Sequence, residues 1–235
     1  MTRTLTPELL DSLPAGHPDA RHSRRDLRVI NRIMGNHRWF ARTLPALLRK
    51  NERTLELGAG TGELGARFAA GGVTVDGIDF GPRPDSWPAS CAWHVGDLRS
   101  FERYDGYASV FGNLFFHHLD DGELAALGTA LRRTACVILA SEPKRSARAQ
   151  CLFAVFGRCF GANRVTLHDA HVSIAAGFRG DELPRALGLC DGNWEVGVTT
   201  AALGAYRMVA VRGSAVLQPA LEDSQRGLKH RATFA

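Results

Sequence analysis

Four glycines fall within residues 58–65, directly behind the short apolar run Thr54-Leu55-Glu56-Leu57. Glycine costs conformational entropy in ordered structure and is useful where the chain must bend tightly or let something approach its backbone. A strand that ends in such a turn and continues into a helix is the opening unit of an open, doubly wound α/β sheet, whose ligands lie at the carboxyl ends of the strands. The downstream sequence keeps that alternation. Helix-like 62–72 is closed by glycines, 73–80 is β-rich, and proline-rich 81–90 is a loop. Strands are predicted at 91–97, 107–116 and 135–143. Between the last two, Asp120 and Glu123 form a capping box that opens a helix ending near Arg132 and Arg133. A phenylalanine-rich helix is expected at 144–160, an irregular stretch at 161–179, a short helix at 181–189 and a final strand pair over 194–213. The fold class expected is α/β: a doubly wound, Rossmann-like seven-stranded sheet with an antiparallel edge hairpin.

The 235 residues, 45% hydrophobic and 23% charged, suffice for one sizeable α/β domain and exclude a disordered chain. The expected division is a helical cap over 1–52, a ligand-binding domain over 53–213 with an acceptor-pocket insertion around 144–190, and a polar, disordered tail over 214–235. Five cysteines without C-x-x-C spacing read as free thiols, three of them buried. With no apolar core in the N-terminal stretch and no run long enough to span a bilayer, a cytoplasmic location without a membrane span is expected. Residues 1–53 carry 11 Lys and Arg against 5 Asp and Glu, whereas the remainder is nearly balanced. Within that basic stretch, Arg21, Arg25, Arg28 and Arg32 form one stripe of a helix, with Leu27, Ile30, Ile33 and Met34 opposite. Lacking aromatic interleaving, the stripe reads as the solvated face of a core-packed helix, and no nucleic-acid partner is expected.

The glycine turn admits two ligand classes. Gly60 to Gly65 satisfies G-x-G-x-x-G, and Asp79 follows Gly60 at the spacing of a dinucleotide site. However, the strand ends at Leu57, so the frame is Gly58-x-Gly60-x-Gly62. Glu56 precedes it, where a diphosphate would be repelled and an ammonium favoured.

The stretch Leu55–Gly65 resembles motif I of class I S-adenosylmethionine-dependent methyltransferases, and the resemblance continues in order. Val75–Phe80 is similar to the end of their second strand, which implies that Asp79, beside Phe80, binds the ribose hydroxyls. His94–Phe101 is similar to the segment after their third strand, placing Asp97 and Leu98 at the adenine. Tyr107–Leu124 is similar to their fourth strand and its loop, with Asn113 near the methyl donor. The implied cofactor is S-adenosyl-L-methionine, held by Glu56, Gly58, Gly60, Gly62, Asp79, Phe80, Asp97, Leu98 and Asn113. Its sulfonium and ammonium call for acids rather than phosphate-binding cations.

The acceptor is expected to be a small, aromatic or alkyl-bearing molecule. Asn113-Leu114-Phe115-Phe116 lacks the prolines of base-amine methyltransferases, and none of the cysteines follows a proline as in cytosine-ring enzymes. A looser resemblance, carried by Ser23–Asn36 and His168–Phe178, to bacterial methyltransferases of phenolic or quinone-type polyketide metabolism implies an oxygen acceptor; carbon methylation of a similar molecule stays open. An oxygen nucleophile needs a base. The candidates are His171, favoured and expected to pair with Asp169 or another nearby acid, then His168 and, after the fourth strand, His118 beside His117. No metal site is expected, because His168 and His171 with Asp169 lack a further ligand at diagnostic spacing. A nicotinamide oxidoreductase lacks its Tyr-x-x-x-Lys; a catalytically silent binding module on this fold is the remaining alternative.

Overall fold

A computed structural model describes residues 1–14, 16–49, 52–201 and 203–213. Helices α1 (Leu9–Ser12), α2 (Pro18–Met34) and α3 (Asn36–Leu47) precede the first strand. Then come β1 (Thr54–Leu57), α4 (Glu63–Ala70), β2 (Val75–Asp79), β3 (Trp93–Val95), β4 (Ser109–Asn113), α5 (Asp121–Thr134) and β5 (Val137–Pro143). The chain continues through α6 (Ala147–Phe156), α7 (Arg164–Ala176), α8 (Glu182–Ala186), β6 (Trp194–Thr200) and β7 (Ala205–Arg212). The strands form one sheet in the order β3-β2-β1-β4-β5-β7-β6. Strands β1 to β5 are parallel, and β7 runs antiparallel to both β5 and β6. The strand order reverses between β1 and β4, the switch point at which open sheets of this kind bind ligands.

Alternation along each strand divides the core between the two faces. Leu55, Leu57, Val110 and Ile138 pack with Leu124, Leu127 and Leu131 of α5. Phe111 and Leu139 point the other way, to Phe40 and Leu44 of α3 and Leu64 and Phe68 of α4. The ring centroids of Phe40 and Phe68 lie 5.2 and 5.6 Å from that of Phe111. The capping box of α5 is made: Asp120 Oδ1 accepts from the Glu123 amide, and Glu123 Oε2 accepts from the Asp120 amide, each at 2.8 Å.

Two expectations require correction. Most of the stretch 161–179 is helix, not irregular. Its buried positions Val165, Asp169, Val172 and Ala176 follow helical spacing, but the buried Asp169 and Thr166 interrupt the apolar signal. Of the five thiols only Cys91 is buried; Cys136 is half-buried and the other three are exposed. Helix α2 packs on the expected side: Arg21, Arg25, Arg28 and Arg32 are exposed, while Leu27, Ile30 and Met34 are half-buried on the face that also buries Ala20, Ser23 and Asp26. Ile33, at the edge of that face, is exposed, and Asp26 Oδ2 accepts from the Thr166 hydroxyl of α7 at 2.8 Å. The expected disordered tail, 214–235, lies outside the described residues. No helix among the described residues is long and apolar enough to cross a membrane.

Candidate functional site

The turn after β1 adopts positive φ at Gly58, Gly60 and Gly62 (+61°, +54° and +72°), a conformation that favours glycine. The three glycines nevertheless serve different neighbours. A Cβ at Gly58 would stand 2.2 Å from the Phe115 ring, and one at Gly62 would stand 2.8 Å from Trp87. At Gly60 the nearest atom would be the Gly58 carbonyl, 3.9 Å away, so Gly60 alone of the three faces open space. Its amide donates to Asp79 Oδ2 at 2.8 Å, while Asp79 Oδ1 accepts from the Gly81 amide at 2.7 Å. Each carboxylate oxygen has a second lone pair, so Asp79 can accept further bonds. Phe80, next to it, is 70% exposed.

Asp97 caps the short turn Leu98–Ser100 by accepting from the Arg99 amide at 2.9 Å, and Leu98 packs against the core. Asp97 lines an open cavity of about 400 Å³ with Ile78, His94, Gly96, Phe101 and Arg103. Glu56 lies elsewhere. Strand alternation sends it to the face opposite Leu55 and Leu57, beneath the first turn of α4, where a Cβ on Gly65 would meet its Oε2 at 2.7 Å. Burial raises its pKa to about 8 against the stabilising Gly65 amide, with Asp79 adding to the rise. Among the described residues Oε2 has no hydrogen-bond partner.

The loop after β4 is built around an acid that sequence reading overlooked. Glu142, fully buried at the end of β5, accepts from the amides of Phe115, Phe116 and His117 at 2.9, 3.1 and 3.2 Å. Its only signal was a carboxylate closing an otherwise apolar strand, as Glu56 does within β1. Before it, Leu114 sits at φ +55°, a strained backbone of the kind that clusters at functional sites. Asn113 donates to Asn31 of α2 at 3.0 Å, which ties the cap to the end of β4.

His117 is buried between two carboxylates: Nδ1 is 2.6 Å from Glu142 Oε2, and Nε2 is 3.6 Å from Glu8 Oε1. Burial alone would lower its pKa; Glu142 and Glu8 outweigh burial and raise it to about 9. Its ring stacks on His118, with centroids 4.2 Å apart. Desolvation, then the neighbouring His117, lowers the His118 pKa to about 4, although part of that ring reaches solvent. The buried His117 ion pair has a pH signature. Its folded pKa exceeds the unfolded value near 6.5, so its stabilisation is complete below about pH 6.5 and is lost as pH rises through about 9. The loss is about 3 kcal/mol. Denaturant titrations in metal-free buffer are expected to show that decline, and His117→Asn is expected to remove it.

Helix α7 supplies the other histidines. His168 Nδ1 is 2.9 Å from Asp169 Oδ1. The expected pairing of Asp169 with His171 is not made: the Asp169 carboxylate is buried against His168 and α1, while His171 points to solvent. His171 is exposed, its carbonyl accepting from Gln150 at 2.9 Å. The Asp169 carboxylate also accepts from the Leu9 and Leu10 amides at 2.7 and 3.0 Å, docking α1 against α7. This brings in two further acids that the sequence did not single out. Glu8 accepts from the Ser173 hydroxyl, and Asp11, although exposed, has its pKa raised to about 6 by partial desolvation and by Glu8 and Asp169.

The strand order, the glycine turn at the switch point and the antiparallel edge pair define the class I methyltransferase fold. Among solved structures, the chain is similar to the plantazolicin methyltransferase BpumL in complex with S-adenosylhomocysteine. Identity is 11% and the TM-score 0.65, over 85% of this chain and 92% of that one. The same comparison with BamL, bound to a triazolic desmethylplantazolicin analogue and S-adenosylhomocysteine, gives 10%, 0.65, 87% and 93%. The glycopeptide N-methyltransferase MtfA, complexed with sinefungin, is 15% identical over 77% of this chain and 87% of its own, with a TM-score of 0.52. No family model matches the sequence, and neither does any curated protein.

Proposed function

We propose that the chain transfers a methyl group from S-adenosylmethionine to a small-molecule acceptor, a phenolic or quinone-type oxygen. The observation that carries this reading is the Gly60–Asp79 pair. A left-handed glycine faces open space, its amide held by a carboxylate, at the point where the sheet reverses. An acid suits a ribose diol and a cationic donor and repels a diphosphate. In this reading Asp79 accepts from the ribose hydroxyls, Phe80 and Asp97 meet the adenine, and the turn at Gly58, Gly60 and Gly62 runs beside the methionine part. Glu56 acts from beneath the turn, holding it against α4. The acceptor lies on the side formed by residues 116–118, α1 and α7, with Asn113 at the boundary. Transfer forms the O–C bond as the S–C bond breaks; sulfur leaves as a neutral thioether, and the acceptor's proton goes to His168, which Asp169 orients.

An amine acceptor is the second reading. It is favoured by the fold shared with a glycopeptide N-methyltransferase and by Glu8, Asp11 and Asp169, whose charges attract an ammonium. Incubation with labelled S-adenosylmethionine and panels of phenols and amines separates the two. Calorimetry with S-adenosylmethionine and NADH tests the cofactor itself. Asp79→Ala is expected to weaken S-adenosylmethionine binding by about 1.5–3 kcal/mol, the loss of charge-assisted hydrogen bonds. Equal calorimetric affinity in variant and wild type would remove Asp79 from the site.

A further inference from the structure

We propose that Glu8, His117 and His118 form a binding site for a first-row divalent metal ion on the acceptor side of the cleft. One donor atom from each side chain lies within 4.8 Å of the other two. Around a tetrahedral ion with bonds of about 2.0–2.2 Å, donors stand roughly 3.3 Å apart, so small side-chain rotations close the set. Two imidazoles and a carboxylate suit zinc, iron, nickel or copper rather than calcium or magnesium, which prefer oxygen throughout.

The surroundings support this reading more than the three side chains do by themselves. Metal-binding histidines characteristically give their second nitrogen to a carboxylate or a backbone carbonyl, which fixes the tautomer and aims the first. His117 does so through Nδ1, 2.6 Å from Glu142, leaving Nε2 toward Glu8. The Leu114 backbone lies against the His118 ring and favours its protonated form. Glu8 is oriented by the Ser173 hydroxyl. All three donors thus have an outer neighbour, drawn from β5, the strained Leu114 and α7. The contact between His117 Nε2 and Glu8, at 3.6 Å, is too long for a direct hydrogen bond. The two groups form a long ion pair, and a metal ion between them would take the place of the proton on Nε2.

With three protein ligands, a fourth position stays open to an exogenous oxygen. Here the inference rests on the methyl-transfer reading: an ion in this place polarises the acceptor's hydroxyl and lowers its pKa. Binding of the ion itself does not depend on that reading.

The test is titration of the untagged, full-length chain, first treated with chelator, with zinc by calorimetry and with cobalt(II) by visible absorption. One ion per chain at micromolar affinity or tighter is expected. Glu8→Gln and His118→Ala are each expected to weaken it at least about 10-fold while S-adenosylmethionine affinity stays within a factor of about two. Absence of binding at these concentrations overturns the site, as does binding that both variants leave unchanged. Should Glu8→Gln fail to fold, His118→Ala decides alone, since its solvent-reaching ring is outside the core. Metal binding without S-adenosylmethionine binding would leave the site standing and remove the methyl-transfer reading; the converse would do the opposite.

Discussion

Gly60→Val is expected to abolish S-adenosylmethionine binding in a chain that still folds. A β-branched residue at φ +54° costs about 1–2 kcal/mol of backbone strain, a fraction of an ordinary domain's stability. Its side chain would project into the open space where the methionine part is to lie. The neighbouring glycines make poorer tests. Valine at Gly58 or Gly62 would collide with Phe115 or Trp87, so lost binding there would be entangled with lost packing. Calorimetry and thermal melting of Gly60→Val together settle the point. Normal affinity with a wild-type melting profile would mean that the turn is not the cofactor cradle.

Much of this arrangement was legible in the sequence because its signals are local. A glycine turn behind an apolar run, a capping box at Asp120 and Glu123, and acids following successive strands each depend on neighbours a few residues away. What escaped depends on side chains far apart in the chain. Asp169 reads as a polar break in a helix, yet it is buried because it receives the Leu9 and Leu10 amides from 160 and 159 residues away. Glu142 looks like the polar end of a strand but organises three backbone amides of the β4 loop. Glu8 and Asp11 lie in a segment with no motif at all, and only the docking of α1 on α7 gives them a place. On α2 the apolar stripe was legible, but not that the same face buries Ser23 and Asp26, whose partner, Thr166 of α7, is 140 or more residues away. Glu56 shows the complementary case: its position was legible, whereas its direction required the strand's alternation against α4.

Those long-range contacts also redirect the expected chemistry on α7 from His171 to His168. His168 has the carboxylate partner, 2.9 Å away, that fixes its tautomer and supports an imidazolium as the acceptor's proton arrives. His171 stands exposed, on a different side of the helix from Asp169. With an oxygen acceptor, His168→Ala is therefore expected to lower turnover by roughly 10²–10⁴-fold, the usual contribution of a positioned general base. S-adenosylmethionine affinity should stay within a factor of about two, and His171→Ala should retain near wild-type turnover. Because the base works in its neutral form, the wild-type rate should climb with pH along an acid limb that disappears in His168→Ala. Asp169→Asn would be a less specific probe, since the same carboxylate holds α1. Reaction at an amine presented already neutral needs no such base, and the loss on His168→Ala would then shrink to a few-fold. An oxygen acceptor turned over at the wild-type rate by His168→Ala, with the acid limb intact, would remove His168 from the mechanism. Methyl transfer would then rest on alignment of the two substrates, which by itself can supply a large part of the barrier reduction.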